Sequence, residues 1–113
     1  MKYLHGDFVS MKNIFDAIPD HLGEEAFDKI LCSESVRIER IVSKGHRSPV
    51  DSWYDQDDNE WVIVLKGEAI IAFVDKEPVY LCEGDFIHIP AHIRHKVQWT
   101  APGRDTVWLA VHY

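Results

Sequence analysis

Two phrases hold the side chains of this chain best suited to chemistry. The first is Glu60, six intervening residues, then Gly67. The second is Gly84, five residues, Pro90-Ala91-His92, two residues, then His95. A carboxylate and an imidazole set among apolar, strand-like residues are groups that can hold a divalent cation. Asp55 adds a second carboxylate. Asp55, Glu60 and His95 would supply two carboxylate oxygens and one imidazole nitrogen, and two negative charges would offset a divalent metal ion. With water in the open positions, such a set suits Mn, Fe, Ni or Zn. Gln56 is a further, weaker ligand through its carbonyl oxygen. The plainer account is a buried Glu60–His95 pair without a metal. Asp55 would then be one of several solvated carboxylates in the acidic turn from Asp55 to Glu60.

Other groups cluster near these phrases. Trp53, Tyr54 and Trp99 could grip an organic molecule in a pocket mouth, or could simply pack. Arg94 could meet an anionic group, though a solvated arginine is the ordinary reading. His92 reads as a rim residue and His46 as a loop residue able to swing inward. His88 and His112 fall in strand patterns, as half-exposed or satisfied sheet residues. Asp55, Asp57 and Asn59 alternate like a calcium loop, but that loop needs Gly sixth and Glu twelfth; Glu60 and Lys66 stand there. Neither a serine-nucleophile elbow nor a glycine-rich phosphate cradle is present.

The elements that must position these residues are mostly strands. From Ser35 onward, short apolar runs are separated by turn residues at regular spacing. WVIVLK and EAIIAFV flank Gly67, while VYLC, FIHIP, HKVQW and TVWLAVHY follow. This pattern predicts an all-β sandwich or barrel. Glu60, Val62 and Val64 share one strand face, as do His95, Val97 and Trp99. The slip in alternation at Arg40-Ile41-Val42 predicts a bulge. Upstream, Leu22, Ala26, Phe27, Ile30 and Leu31 recur at helical spacing after Asp20, which predicts one short amphipathic helix over 21–31. The expected organisation is an N-terminal extension with that helix over 1–34, packed on a barrel over 35–113. Residues 1–10 show no period.

Bulk properties narrow the function. The chain has 113 residues, which suits one domain. Twelve basic against nineteen acidic residues give a formal charge of −7, with no basic cluster, which argues against a nucleic-acid partner. Cys32 and Cys82 match no zinc spacing and make no disulfide framework. No segment has the length of a membrane span or an apolar signal region. A cytoplasmic protein with no membrane partner is the expectation.

The two phrases together resemble the cupins, the small double-stranded β-helix or jelly-roll barrel family. The first cupin motif runs Gly-x5-His-x-His-x3–4-Glu-x6-Gly, and Glu60 to Gly67 matches its second half. The second runs Gly-x5-Pro-x-Gly-x2-His-x3-Asn. Gly84, Pro90 and His95 match it, with His92 at its internal Gly and Trp99 at its Asn. The resemblance covers about residues 35–112 and implies the fold. It also implies a divalent-metal site built from the two motif histidines, the glutamate and the later histidine. Glu60 and His95 match that set, but the two histidines do not. A four-residue spacer puts their places on Trp53 and Asp55, and a three-residue spacer on Tyr54 and Gln56.

Two main functions follow. One is a small metal-dependent cupin enzyme of dioxygenase, isomerase or decarboxylase type, with Asp55, Glu60 and His95 on the ion. The other is a metal-free binding or sensory module whose mouth, lined by Trp53, Tyr54, Trp99 and Arg94, holds a small molecule without turning it over. A third is association through exposed strands as a homodimer.

Overall fold

Period-two apolar runs bounded by glycine, proline and acidic turns become eight strands among residues 11–113, the part of the chain described by the computed structural model. They are β1 (Ala26–Cys32), β2 (Arg37–Ser43), β3 (Glu60–Lys66), β4 (Ala69–Phe73), β5 (Val79–Leu81), β6 (Phe86–Ile89), β7 (His95–Thr100) and β8 (Thr106–His112). One sheet has the order β1-β2-β8-β3-β6 and the other β5-β4-β7. Every pairing is antiparallel. The core lies between the sheets. Val62, Val64, Trp108, Ala110 and Ile89 from the larger face Ala69, Ile71, Phe73 and Leu81 from the smaller. Each large apolar side chain fully withdrawn from water contributes about 1.5–3 kcal/mol.

Gly67 makes the β3–β4 connection possible. Its φ is +92°, and a β-carbon there would lie 2.7 Å from Thr106 Cα and 2.8 Å from the Asp105 carbonyl oxygen. Only glycine tolerates both the backbone and the approach of β8. The loop after β4 carries the turn expected at Asp75–Pro78.

The helix expected over 21–31 does not form. Ala26–Cys32 is β1, an edge strand paired along β2, so the larger sheet begins at residue 26. The register shifts between Lys29 and Leu31, leaving Ile30 as an extra residue. That bulge breaks the two-residue period and brings the apolar residues to intervals of three and four, which imitates a helix. The free edge of β2 supplies the hydrogen bonds that decide the conformation. The bulge expected at Arg40–Val42 is also absent: β2 pairs with β8 in unbroken register from Arg37 to Ser43. The slip in pattern comes from Arg40 facing away from the cavity while buried. Its guanidinium reaches Asp28 at 2.7 Å and the carbonyls of Ile14 and Asp16 at 3.1 and 2.6 Å. It thereby ties the preceding segment to the sheet. The questions raised about residues 1–10 lie outside the described residues.

Candidate functional site

A cavity of about 510 Å³ opens between the two sheets, within the size range of small-molecule sites. Its wall on the larger sheet is set by register. Arg37, His112, Glu60 and Ile89 are successive cross-strand partners on β2, β8, β3 and β6, so they form one row. All four line the cavity. His95 enters from the other sheet as the first residue of β7. Its backbone exchanges two hydrogen bonds with Tyr54, at 2.7 and 3.1 Å, which hang the loop before β3 on this sheet.

Glu60 and His95 meet as the two phrases require. His95 Nε2 lies 3.4 Å from Glu60 Oε1, and both side chains are nearly withdrawn from water at 8% and 11% exposure. His95 Nδ1 lies 2.8 Å from the Ile93 carbonyl oxygen, which can only accept. A carboxylate at one ring nitrogen and a carbonyl at the other both favour the protonated ring. Burial alone would lower the ring's pKa. The Glu60 contact and the Ile93 carbonyl outweigh burial and hold it above the usual histidine value. Gln56 donates its amide N–H to Glu60 Oε1 at 3.2 Å.

Around the first motif the structure supports the three-residue spacer. Tyr54 and Gln56 line the cavity, whereas Trp53 and Asp55 are exposed and stand outside its lining. Lys96 Nζ sits 4.5 Å above the Trp53 ring. Asp55 Oδ1 lies 2.8 Å from His92 Nδ1, in a surface pair half open to solvent. The Asp55 carboxylate is therefore not brought to Glu60 and His95. Burial, together with the Glu25 and Glu60 charges, raises the Tyr54 pKa against the opposing Ser48 hydrogen bond, so its phenol stays protonated at neutral pH.

This donor set does not fit a resident divalent ion. Among the described residues, no group of three His, Cys, Asp or Glu side chains is gathered for a metal. The cavity positions that match the family's two histidines carry a protonated phenol and an amide. The one carboxylate beside His95 also accepts the Gln56 amide N–H.

The remaining candidates are scattered. Trp99 points away from the cavity. A register shift in the β4–β7 pairing sets Ile70 opposite Trp99 and Ile71 opposite Val97, so the extra residue Gln98 turns Trp99 to the outer face. There it shares a shallow groove with Arg47 and Tyr80. Arg94 is exposed and outside the cavity lining. His46 stays in its loop, accepting from the Lys44 N–H at Nδ1 over 2.9 Å. His92 takes φ +64° at the position where the second motif carries glycine. Its pair with Asp55 raises its pKa and tethers this left-handed residue to the loop before β3.

Several cavity residues carried no motif signal. Glu39 Oε1 lies 3.0 Å from His112 Nε2 and 3.4 Å from Arg37 Nε. Glu25, just before β1, is hydrogen-bonded to Ser43, which also accepts the Trp108 indole N–H at 3.2 Å. Burial pushes the Glu25 pKa up, with the Ser43 hydrogen bond and the His46 charge opposing. The usable signal was the alternation Arg37, Glu39, Ile41, since polar residues on one strand face can line a cavity as well as meet solvent.

Comparison with known proteins agrees with this architecture. The family model described as Cupin domain matches residues 39–112, and the chain belongs to the cupin family. A crystal structure from Ralstonia eutropha JMP134, named as a "putative mannose-6-phosphate isomerase", is 42% identical, with a TM-score of 0.88 over 91% of this chain and 96% of that one. A cupin superfamily protein from Desulfitobacterium hafniense DCB-2 is 22% identical, with a TM-score of 0.69 over 84% of this chain and 82% of that one. An RmlC-like cupin from Methanocaldococcus jannaschii, of double-stranded β-helix fold, is 20% identical, with a TM-score of 0.66 over 84% of each chain. The last two show the fold alone. A search of curated proteins returned no match. Among the described residues, no helix is long and apolar enough to cross a membrane.

Proposed function

We propose that this cupin works without a resident metal and binds a small organic molecule in the cavity between its sheets. The Glu60–His95 ion pair is the polar anchor of that site. One observation carries the reading: the inward-facing positions of the first motif are Tyr54 and Gln56, so the Glu60 carboxylate meets the His95 ring and the Gln56 amide rather than further histidines. Apolar walls from Ile41, Val62, Ile71 and Trp108 supply the contact area that such a ligand needs.

The test uses untagged protein incubated in turn with Mn²⁺, Fe²⁺, Ni²⁺ and Zn²⁺, then desalted. Metal content well below one per chain is expected, together with ligand-dependent thermal stabilisation from some member of a panel of small organic molecules. One tightly held ion per chain, lost in Glu60→Ala and His95→Ala variants that still fold, would overturn the reading.

The name carried by the Ralstonia protein, that of an isomerase of a phosphorylated sugar, favours an alternative, catalytic reading of the site, distinct from neutral-ligand binding. A carboxylate beside an imidazolium can take a proton from carbon and return one to oxygen, as sugar isomerisation requires. In that version Glu60 is the base and His95 the acid. Proton–deuteron exchange into a bound sugar would reveal it.

A further inference from the structure

The cavity has a second polar centre, formed by Arg37, Glu39 and His112. We propose that it makes the site selective for neutral, polyhydroxylated molecules of monosaccharide size and excludes their anionic derivatives. This inference rests on the metal-free binding reading and narrows its ligand.

Hydrogen-bonding capacity is the first ground. Glu39 Oε1 is engaged by both His112 Nε2 and Arg37 Nε. Among the described residues, Glu39 Oε2 and the two terminal nitrogens of Arg37 make no hydrogen bond. An open acceptor therefore stands beside open donors at the cavity wall. A hydroxyl both donates and accepts, so adjacent hydroxyls satisfy such a pair while a carboxylate or phosphate satisfies only its donor half. His112 is buried at 5% exposure, lines the cavity, and has an Nδ1 without a partner among the described residues.

Spacing is the second ground. Arg37, His112 and Glu60 lie in one cross-strand row. Adjacent strands are about 4.8 Å apart, so the row spans about 10 Å at the backbone. A molecule lying across it meets acceptors and donors at both ends: Glu39 with Arg37 at one, Glu60 with Gln56 at the other. Phe27, Ile41 and Trp108 form another cross-strand row four residues further along the strands, which also lines the cavity and offers apolar surface to carbon-bound hydrogens.

Charge is the third ground. The lining holds three carboxylates, Glu25, Glu39 and Glu60, and one guanidinium, that of Arg37, which already faces Glu39. The His95 ring is likewise engaged by Glu60. An incoming anion could reach the free end of the Arg37 guanidinium, but Glu39 already offsets that charge and the anion would also face the neighbouring carboxylates, which repel it.

The experiment is saturation-transfer NMR with competition, on the whole protein. The probes are neutral monosaccharides and alditols, each matched to its 6-phosphate or uronic acid, with simple aromatic and aliphatic alcohols as controls. At least one neutral polyol should bind, with its anionic partner at least tenfold weaker. Glu39→Gln should reduce that discrimination to within about threefold, and Arg37→Gln should weaken the neutral polyol, both with an unchanged fold by circular dichroism. Preference for the anionic partner would overturn the inference, as would binding of the non-polyol controls alone; both leave small-molecule binding standing. If no organic molecule binds, both readings fall.

Discussion

Replacing Glu60 with Gln removes one charge and almost no volume, so it isolates the electrostatics of the cavity. The side chain can still hydrogen-bond to His95 and Gln56, but the His95 imidazolium loses its counter-charge. Breaking a buried pair by removing one partner costs about 3–5 kcal/mol. Here both groups border a cavity and the new amide retains a polar contact, so about 2 kcal/mol is expected. For a domain of this size that lowers Tm by about 8 °C. The loss must depend on pH. Folding raises the His95 pKa, so its contribution is complete below the ordinary histidine pKa and fades as pH rises through the raised folded value. The difference in Tm between the parent and Glu60→Gln should therefore be large at pH 5.5 and much smaller at pH 9. Ring-proton NMR should show the His95 titration moving downward in the variant. An equal Tm loss at both pH values, or an unmoved His95 titration, would refute the ion pair as the organising feature of the site.

Three further outcomes follow from the same structure. Gly67→Ala should cost about 3 kcal/mol in denaturant unfolding, since it combines a left-handed residue with a β-carbon pressed on the Thr106 backbone. The double change Tyr54→His and Gln56→His should create the missing donors, so that Ni²⁺ or Zn²⁺ raises Tm in the variant and not in the parent. His92→Gly should melt no lower than the parent at pH 9, because glycine suits φ +64°. It should lose that parity at pH 5, where the protonated His92 of the parent is held by Asp55.

Much of this was legible in the residues. Glu60 and His95 sit next to turn glycines and a proline at long-range spacing, and alternation in β3 turned Glu60 inward with Val62 and Val64. What failed was parity. Asp55 and Gln56 are neighbours in a loop with no period, so nothing local decides which of them faces the cavity. Trp99 shares parity with His95 by counting, but one extra residue at Gln98 reverses it. A bulge also hid β1, because a strand that skips Ile30 repeats its apolar residues as a helix does. Arg37 and Glu39 carry no such signal, for another reason. A charged strand face is normally a solvent face, and only the closure of one sheet over another makes it an interior.

His95 has two duties on opposite sides of its α-carbon. Its ring closes against Glu60, while its peptide groups carry the loop that ends in Tyr54. A guest that touches the ring therefore touches the one residue from which that loop is hung.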